Sequence, residues 1–244
     1  MKQASYFSLV YAYLCTYNLL LKMRKYIIVV AGGRGTRMGG DTPKQFLPLA
    51  GSTVLMHTLE RMAVAEPEAV LILALPHDQQ EKWQRLCRVY NYTRPHAVTD
   101  GGDTRFRTVC NALALVPDNA LVAIHDGVRP LVSVDVVRRA FATAATAGAA
   151  IPVMPVVESL RQVVGDASYA VERSAFRAVQ TPQVFDSTLL KRAYDVPYRD
   201  EFTDDASVYE ASGHSVCLID GNRENIKITI PQDIALAEII LSQQ

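Results

Sequence analysis

The sequence predicts an α/β protein, a Rossmann-like, doubly wound and mostly parallel sheet with a projecting β-hairpin that serves as a dimerisation arm. Three observations carry this. Short apolar runs rich in β-branched residues recur along the chain, and helical stretches separate several of them. Between Pro155 and Val179 the pattern changes to short alternating runs around a Gly-Asp pair. With 244 residues, 49% of them hydrophobic, the chain can bury one substantial core. Residues 24–244 are therefore read as a single domain, with the arm at about 155–179.

The expected strands are Tyr26 to Val30, Val70 to Leu75, Leu121 to Ile124, Ala149 to Val153 and Val216 to Ile219. Each is short and continuously apolar, as a strand covered on both faces must be. Among the helices, Asp78 to Val89 carries Trp83, Leu86 and Val89 at three-residue spacing, and Phe106 to Val116 places Val109, Leu113 and Val116 on one face. Ser133 is positioned to cap a helix that ends near Gly148, and Thr203 one that stops at Gly213. Pro231 suits the first turn of a last helix through Ile234, Leu236, Ala237 and Ile240. In the arm, Val163-Val164 and Tyr169 to Val171 flank Gly165-Asp166, a turn signal. A projecting hairpin has an exposed edge that a second subunit can cover, so a homodimer is expected.

The 25 basic and 25 acidic residues cancel, which gives no overall field for nucleic acid or an anionic membrane. Cys15, Cys87, Cys110 and Cys217 stand far apart with no CxxC pair, which disfavours a zinc site or a disulfide framework and fits the cytoplasm. The apolar run Leu9 to Leu21 is shorter than the roughly 18 to 20 residues that span a bilayer, and the charge cluster Lys22, Arg24 and Lys25 follows it, where a secretory signal would carry its charge before the run. Residues 1–23 are expected to lie outside the fold, with Met23 an alternative start.

The segment Ala31-Gly32-Gly33-Arg34-Gly35-Thr36-Arg37-Met38-Gly39-Gly40-Asp41-Thr42-Pro43-Lys44-Gln45 follows the first strand. Its glycines let backbone N–H groups approach a phosphate, and Arg37 and Lys44 add positive charge, so it reads as a polyphosphate cradle. A dinucleotide fingerprint beginning at Gly33 would need Gly or Ala where Met38 stands, and a P-loop beginning at Gly35 would need Lys where Asp41 stands.

This glycine-rich turn, with Arg-Met and then Pro-Lys-Gln-Phe, resembles the signature of the sugar-phosphate nucleotidyltransferase superfamily. Further motifs resemble its cytidylyltransferases acting on 2-C-methyl-D-erythritol 4-phosphate. They are Gly101-Gly102-Asp103-Thr104-Arg105, His125-Asp126-Gly127-Val128-Arg129-Pro130, and Thr203-Asp204-Asp205-Ala206-Ser207 together with Asn225-Ile226-Lys227-Ile228-Thr229. The likeness runs from about Arg24 to the end.

The resemblance implies that Ala31, Gly32, Gly33 and Gly35 bind the nucleotide, and that Arg37 and Lys44 stabilise the transition state at the CTP phosphates. Gly101, Asp103 and Thr108 would face cytosine, and Gly127 the ribose. Asp126, Arg129, Thr181, Thr203 and Lys227 would face the acceptor, with Asp126 also near Mg²⁺. Arg173 matches an arginine that reaches across the dimer. His125 is read as a packed, hydrogen-bonded residue rather than a base. At Glu158-Ser159-Leu160-Arg161 the chain departs from the family's Asp-Thr-apolar-Lys, although Ser159 keeps a hydroxyl for the acceptor; this segment also resembles ribitol-5-phosphate enzymes. The implied chemistry is attack of the acceptor phosphate on the α-phosphorus of CTP. Competing readings are a ribitol-5-phosphate cytidylyltransferase, an enzyme for another base or sugar, and a noncatalytic nucleotide-binding module.

Overall fold

The computed structural model describes residues 23–33 and 42–243. The chain begins there with β1 (Lys25–Val30). A single 3₁₀ turn at Lys44–Phe46 precedes the two-residue ribbon of β2 (Pro48–Leu49) and β3 (Ser52–Thr53) and helix α1 (Val54–Ala65). Then come β4 (Val70–Leu75), α2 (His77–Val89), β5 (Ala97–Asp100), α3 (Arg105–Leu113), β6 (Leu121–Asp126), α4 (Val134–Ala147) and β7 (Ala149–Pro155). The arm holds β8 (Arg161–Val164) and β9 (Ala167–Ala170), and the chain returns through β10 (Arg177–Val179) and β11 (Gln183–Asp186). Helices α5 (Ser187–Tyr194) and α6 (Asp205–Ala211), strand β12 (Cys217–Asp220) and helix α7 (Pro231–Leu241) complete it.

β1 is central, parallel to both β4 and β6, and β5 extends the sheet beyond β4 in the same sense. On the other side β11 runs antiparallel between β6 and β7, and β12 pairs parallel with the far edge of β7. Successive side chains of β1 point to opposite faces because a strand has a period of two. Ile27 and Val29 therefore join Leu55, Leu59, Trp83, Val137 and Phe141 beneath α1, α2 and α4. Tyr26 and Ile28 join Phe106, Val109, Leu190 and Tyr209 beneath α3, α5 and α6. Each fully buried Ile or Leu is worth about 1.5–3 kcal/mol relative to exposure. This apolar face-and-face cover holds the parallel sheet. A third, smaller cluster of Leu49, Val54, Leu131, Ile228 and Ala237 seats α7.

Local chemistry sets several boundaries. Ser133 caps α4 by accepting from the Val136 N–H, and the helix stops at Gly148, whose φ of 83° favours glycine. Gly165, with φ 58°, turns the hairpin, and Val164 pairs with Ala167 across it. The cap of α6 is Asp204 rather than the expected Thr203. The Asp204 carboxylate accepts from the Ser207 N–H at 2.9 Å while the Ser207 hydroxyl accepts from the Asp204 N–H at 3.2 Å, and this reciprocal pair outcompetes a lone hydroxyl one residue earlier. Met23, expected outside the fold, packs partly buried against the core; the rest of the expected extension lies outside the described residues. Among the described residues no helix is long and apolar enough to cross a membrane.

Candidate active site

Register brings distant segments together. Val30 pairs with Ala74 and with Asp126, and Leu75 pairs with Asp100, so β1, β4, β5 and β6 end at one edge of the sheet. Ligands of open α/β sheets gather at such carboxyl edges. The antiparallel β11 starts at the same edge, since Gln183 pairs with Ile124, and this puts Thr181 beside Asp126.

Two cavities open there. One, of about 300 Å³, is lined by Ala31, Gly32, Gly33, Lys44, Asp103 and Thr108 of the expected residues, together with Gln45, Gly102, Thr104 and Arg105. The other, of about 290 Å³, is lined by Arg129, Thr181 and Thr203, with Gln180, Gln183 and Asp204. Asp126, Lys227 and Arg105 line both, so the cavities share a wall.

In the first cavity, a Cβ built on Gly33 would meet Lys44 Cε at 3.8 Å, so the lysine stem lies beside the glycine turn. Gln45 holds that turn from behind: its Nε2 donates to the Ala31 carbonyl and to Gln79 Oε1, both at 2.8 Å. The opposite loop is folded by Thr108, whose hydroxyl accepts from the Gly102 N–H and donates to the Thr104 carbonyl, each at 2.9 Å. A Cβ on Gly102 would fall 2.4 Å from Arg107 Cβ and 3.0 Å from the Thr108 N, so only glycine fits.

The shared wall is an ion cluster. Arg129 Nε and Lys227 Nζ each lie 3.1 Å from Asp126 Oδ2, and Arg105 Nε lies 3.9 Å from Oδ1. Burial by itself would raise the Asp126 pKa, but Arg105, Lys227 and Arg129 together hold the carboxyl well below the usual carboxylate range. Lys227 remains 45% exposed, so its ammonium is available to a ligand as well. Arg105 also grips the fully buried Asp205 with two parallel bonds of 2.9 and 2.5 Å, and Tyr194 donates to Asp205 Oδ1 at 2.6 Å.

Behind Asp126 the polar groups are satisfied internally. A carbonyl only accepts, so His125 Nε2 carries the proton and donates to the Arg129 carbonyl at 3.1 Å. Nδ1 then accepts from the Thr181 hydroxyl at 3.0 Å, and that hydroxyl accepts from the Asp126 N–H at 3.1 Å. Complete burial pushes the His125 pKa down to about 4. This agrees with its reading as a packed residue and gives Thr181 the task of aiming Asp126. Asn225 ties in the C-terminal segment: its Nδ2 donates to the Thr181 carbonyl at 2.8 Å, and its own carbonyl accepts from Arg129 Nη1 at 2.9 Å.

Other expected residues stand apart. Gly101 lines neither cavity, and its N–H donates to the Leu75 carbonyl at 2.9 Å. Gly127 is packed where a Cβ would meet Ala31 Cβ at 3.0 Å, beneath the first cavity rather than in its wall. Ser159 is exposed on the arm, and Arg173 donates to the Val157 carbonyl there, beside a separate recess with Glu172 and Arg177. Gly35 and Arg37 lie outside the described residues. Asp126, the residue expected to lie near Mg²⁺, already meets Arg129 and Lys227 through Oδ2. Among the described residues no group of three His, Cys, Asp or Glu side chains is placed to hold a metal ion by itself, whereas Mg²⁺ at a nucleotide needs only one or two carboxylates beside the substrate phosphates. Sequence reading assigned no role to Gln45, Gly102, Arg105, Gln180, Asp205 or Asn225, although most sat inside quoted motifs.

A titration follows from His125. Its folded value of about 4 lies below the unfolded value of about 6.5, so the unfolded chain takes up the proton first. The stabilising contribution is complete above about pH 6.5 and is lost as pH falls toward 4, with roughly 2 kcal/mol lost between about pH 7 and pH 5. Thermal unfolding at those two values should show the drop, and His125→Gln should flatten it.

A family model described as IspD, 2-C-methyl-D-erythritol 4-phosphate cytidylyltransferase, matches residues 26–243. A protein of that name from Phocaeicola vulgatus is 50% identical over 219 residues, covering 90% of this chain and all of the relative. One from Porphyromonas gingivalis is 51% identical over 224 residues, covering 91% of this chain and all of the relative. The crystal structure of 2-C-methyl-D-erythritol 4-phosphate cytidylyltransferase from Thermus thermophilus superposes with a TM-score of 0.69 at 32% identity, covering 90% of this chain and all of that one. A 4-diphosphocytidyl-2C-methyl-D-erythritol synthase from Anaerococcus prevotii shares the fold, with a TM-score of 0.78 at 24% identity over 92% of this chain and 99% of that one.

Proposed function

The chain belongs to the 2-C-methyl-D-erythritol 4-phosphate cytidylyltransferase family, and from that premise we propose how its residues transfer CMP from CTP to 2-C-methyl-D-erythritol 4-phosphate in isoprenoid precursor synthesis. The observation that carries the reading is the pair of cavities meeting at Asp126, Arg105 and Lys227, since a donor and an acceptor must lie within reach of one another. CTP occupies the cavity between Gly32, Gly33 and Lys44 on one side and Gly102, Asp103 and Thr108 on the other. The Thr108 hydroxyl keeps one lone pair, an acceptor suited to the cytosine amino group. The acceptor occupies the cavity of Arg129, Thr181, Thr203 and Lys227.

A phosphate-monoester oxygen of the acceptor attacks the α-phosphorus. A new P–O bond forms as the bond to the β-phosphate oxygen breaks, and pyrophosphate leaves with that electron pair. A monoester with a second pKa of about 6 is largely dianionic at neutral pH, so no general base is required, in keeping with a neutral, occupied His125. The protein's work is alignment of two anions and stabilisation of the charge that builds up on phosphorus and the leaving group. Lys44 and Arg37 act at the triphosphate; Lys227 and Arg129 act at the acceptor phosphate. Mg²⁺ enters as the counter-ion of CTP, as part of the substrate. Arg173 and Ser159 complete the acceptor site from a second copy, with the arm covered in a homodimer; exposed Val163, Val164 and Tyr169 are the apolar surface such a contact would bury. The cysteines described, Cys87, Cys110 and Cys217, are all free thiols, which supports a cytoplasmic enzyme.

With CTP and Mg²⁺, the protein should release pyrophosphate with 2-C-methyl-D-erythritol 4-phosphate and much less with ribitol 5-phosphate; the reverse order, or nucleotide binding without release, overturns the assignment. Lys44→Ala should lower kcat by about 100-fold or more while changing KM for the acceptor little, as for loss of a group acting mainly in the transition state. An unchanged kcat removes Lys44 from the chemistry. Sedimentation equilibrium should give twice the chain mass, and mixing Arg173→Ala with Lys44→Ala protein should restore activity through hybrid dimers. No restoration in proven hybrids argues against a shared site.

A further inference from the structure

We propose that Arg105 and Asp205 form a spacer that sets the distance between the two bound substrates, so that Arg105 is a positioning residue for the transfer step. Arg105 is the first residue of α3, whose preceding loop, Gly102 to Thr104, lines the nucleotide cavity. Asp205 is the first residue of α6, whose preceding residues, Thr203 and Asp204, line the acceptor cavity. The two lie 100 positions apart in sequence, yet a two-pronged bond joins the starts of both helices. Such a fork fixes angle as well as distance, which a single point charge does not.

The Asp205 end of the spacer is anchored. Tyr194 donates to Asp205 from α5, and Gln183 in β11 donates to Asp204 Oδ2 at 2.7 Å while accepting from the Ala206 N–H at 2.9 Å. The acceptor side is thereby pinned to the sheet, and Arg105 carries that position across to the nucleotide side. The Arg105 side chain remains 30% exposed at the wall that both cavities share, so it stands between the ligand sites rather than beneath them. A shift of about 1 Å between reacting groups can cost about 100-fold in rate without comparable loss of binding.

Arg105→Lys keeps the charge and removes the fork. The expected result is a Kd for CTP, measured by calorimetry without acceptor, within about three-fold of wild type, with a single-turnover rate at saturating substrates reduced about 30-fold or more. Tyr194→Phe removes one anchor and should give the same split at smaller size. An unchanged rate in Arg105→Lys, or CTP affinity falling in step with the rate, overturns the spacer. Should Arg105→Lys not fold, Tyr194→Phe decides alone, and a rate within two-fold of wild type overturns it. The spacer rests on the assignment of the two cavities, which fails separately if wild-type protein releases no pyrophosphate with the methylerythritol phosphate.

Discussion

The charge on Asp126 is the constraint around which the molecule is arranged. A carboxylate at a buried sheet edge is costly unless cations surround it, and here they arrive from three places: Arg105 at the start of α3, Arg129 just beyond β6, and Lys227 in the C-terminal segment. Removing any of them leaves charge less compensated in a partly desolvated site. The ion cluster therefore does more than mark a pocket. It requires helix, strand end and C-terminal segment to converge, and those same segments carry the residues proposed to contact both substrates.

The fold's legibility followed the strength of burial contrast. β1, β4, β6 and β7 were readable because they are short, apolar and covered on both faces. Helix α1 escaped notice because it is buried nearly all round: Val54, Leu55, Met56, Thr58, Leu59 and Met62 leave little polar face to reveal a period. β11 has only four residues, and its antiparallel insertion between β6 and β7 follows from pairing that no local pattern displays.

Within the site, the legible part was what short motifs can encode: glycines that admit a phosphate, a lysine beside them, an aspartate at a strand end. The illegible part was what long-range contact decides. Arg105 looks like a solvated arginine at a helix start until Asp205 is found beside it. Asn225 and Gln180 look like surface amides until they are seen bridging to one another and to Thr181. Thr108 and Thr181 line the two cavities, and what no motif displayed is that their hydroxyls fold the Gly102 loop and aim Asp126.

Gly102 shows how closed such a site is to gradual change. Every other amino acid brings a Cβ, and that atom would sit 2.4 Å from Arg107 Cβ and close to the Thr108 backbone, where no flexible side-chain end can swing away. No single codon change from glycine offers a harmless intermediate. At this loop drift meets a locus from which the only way out passes through a moved backbone.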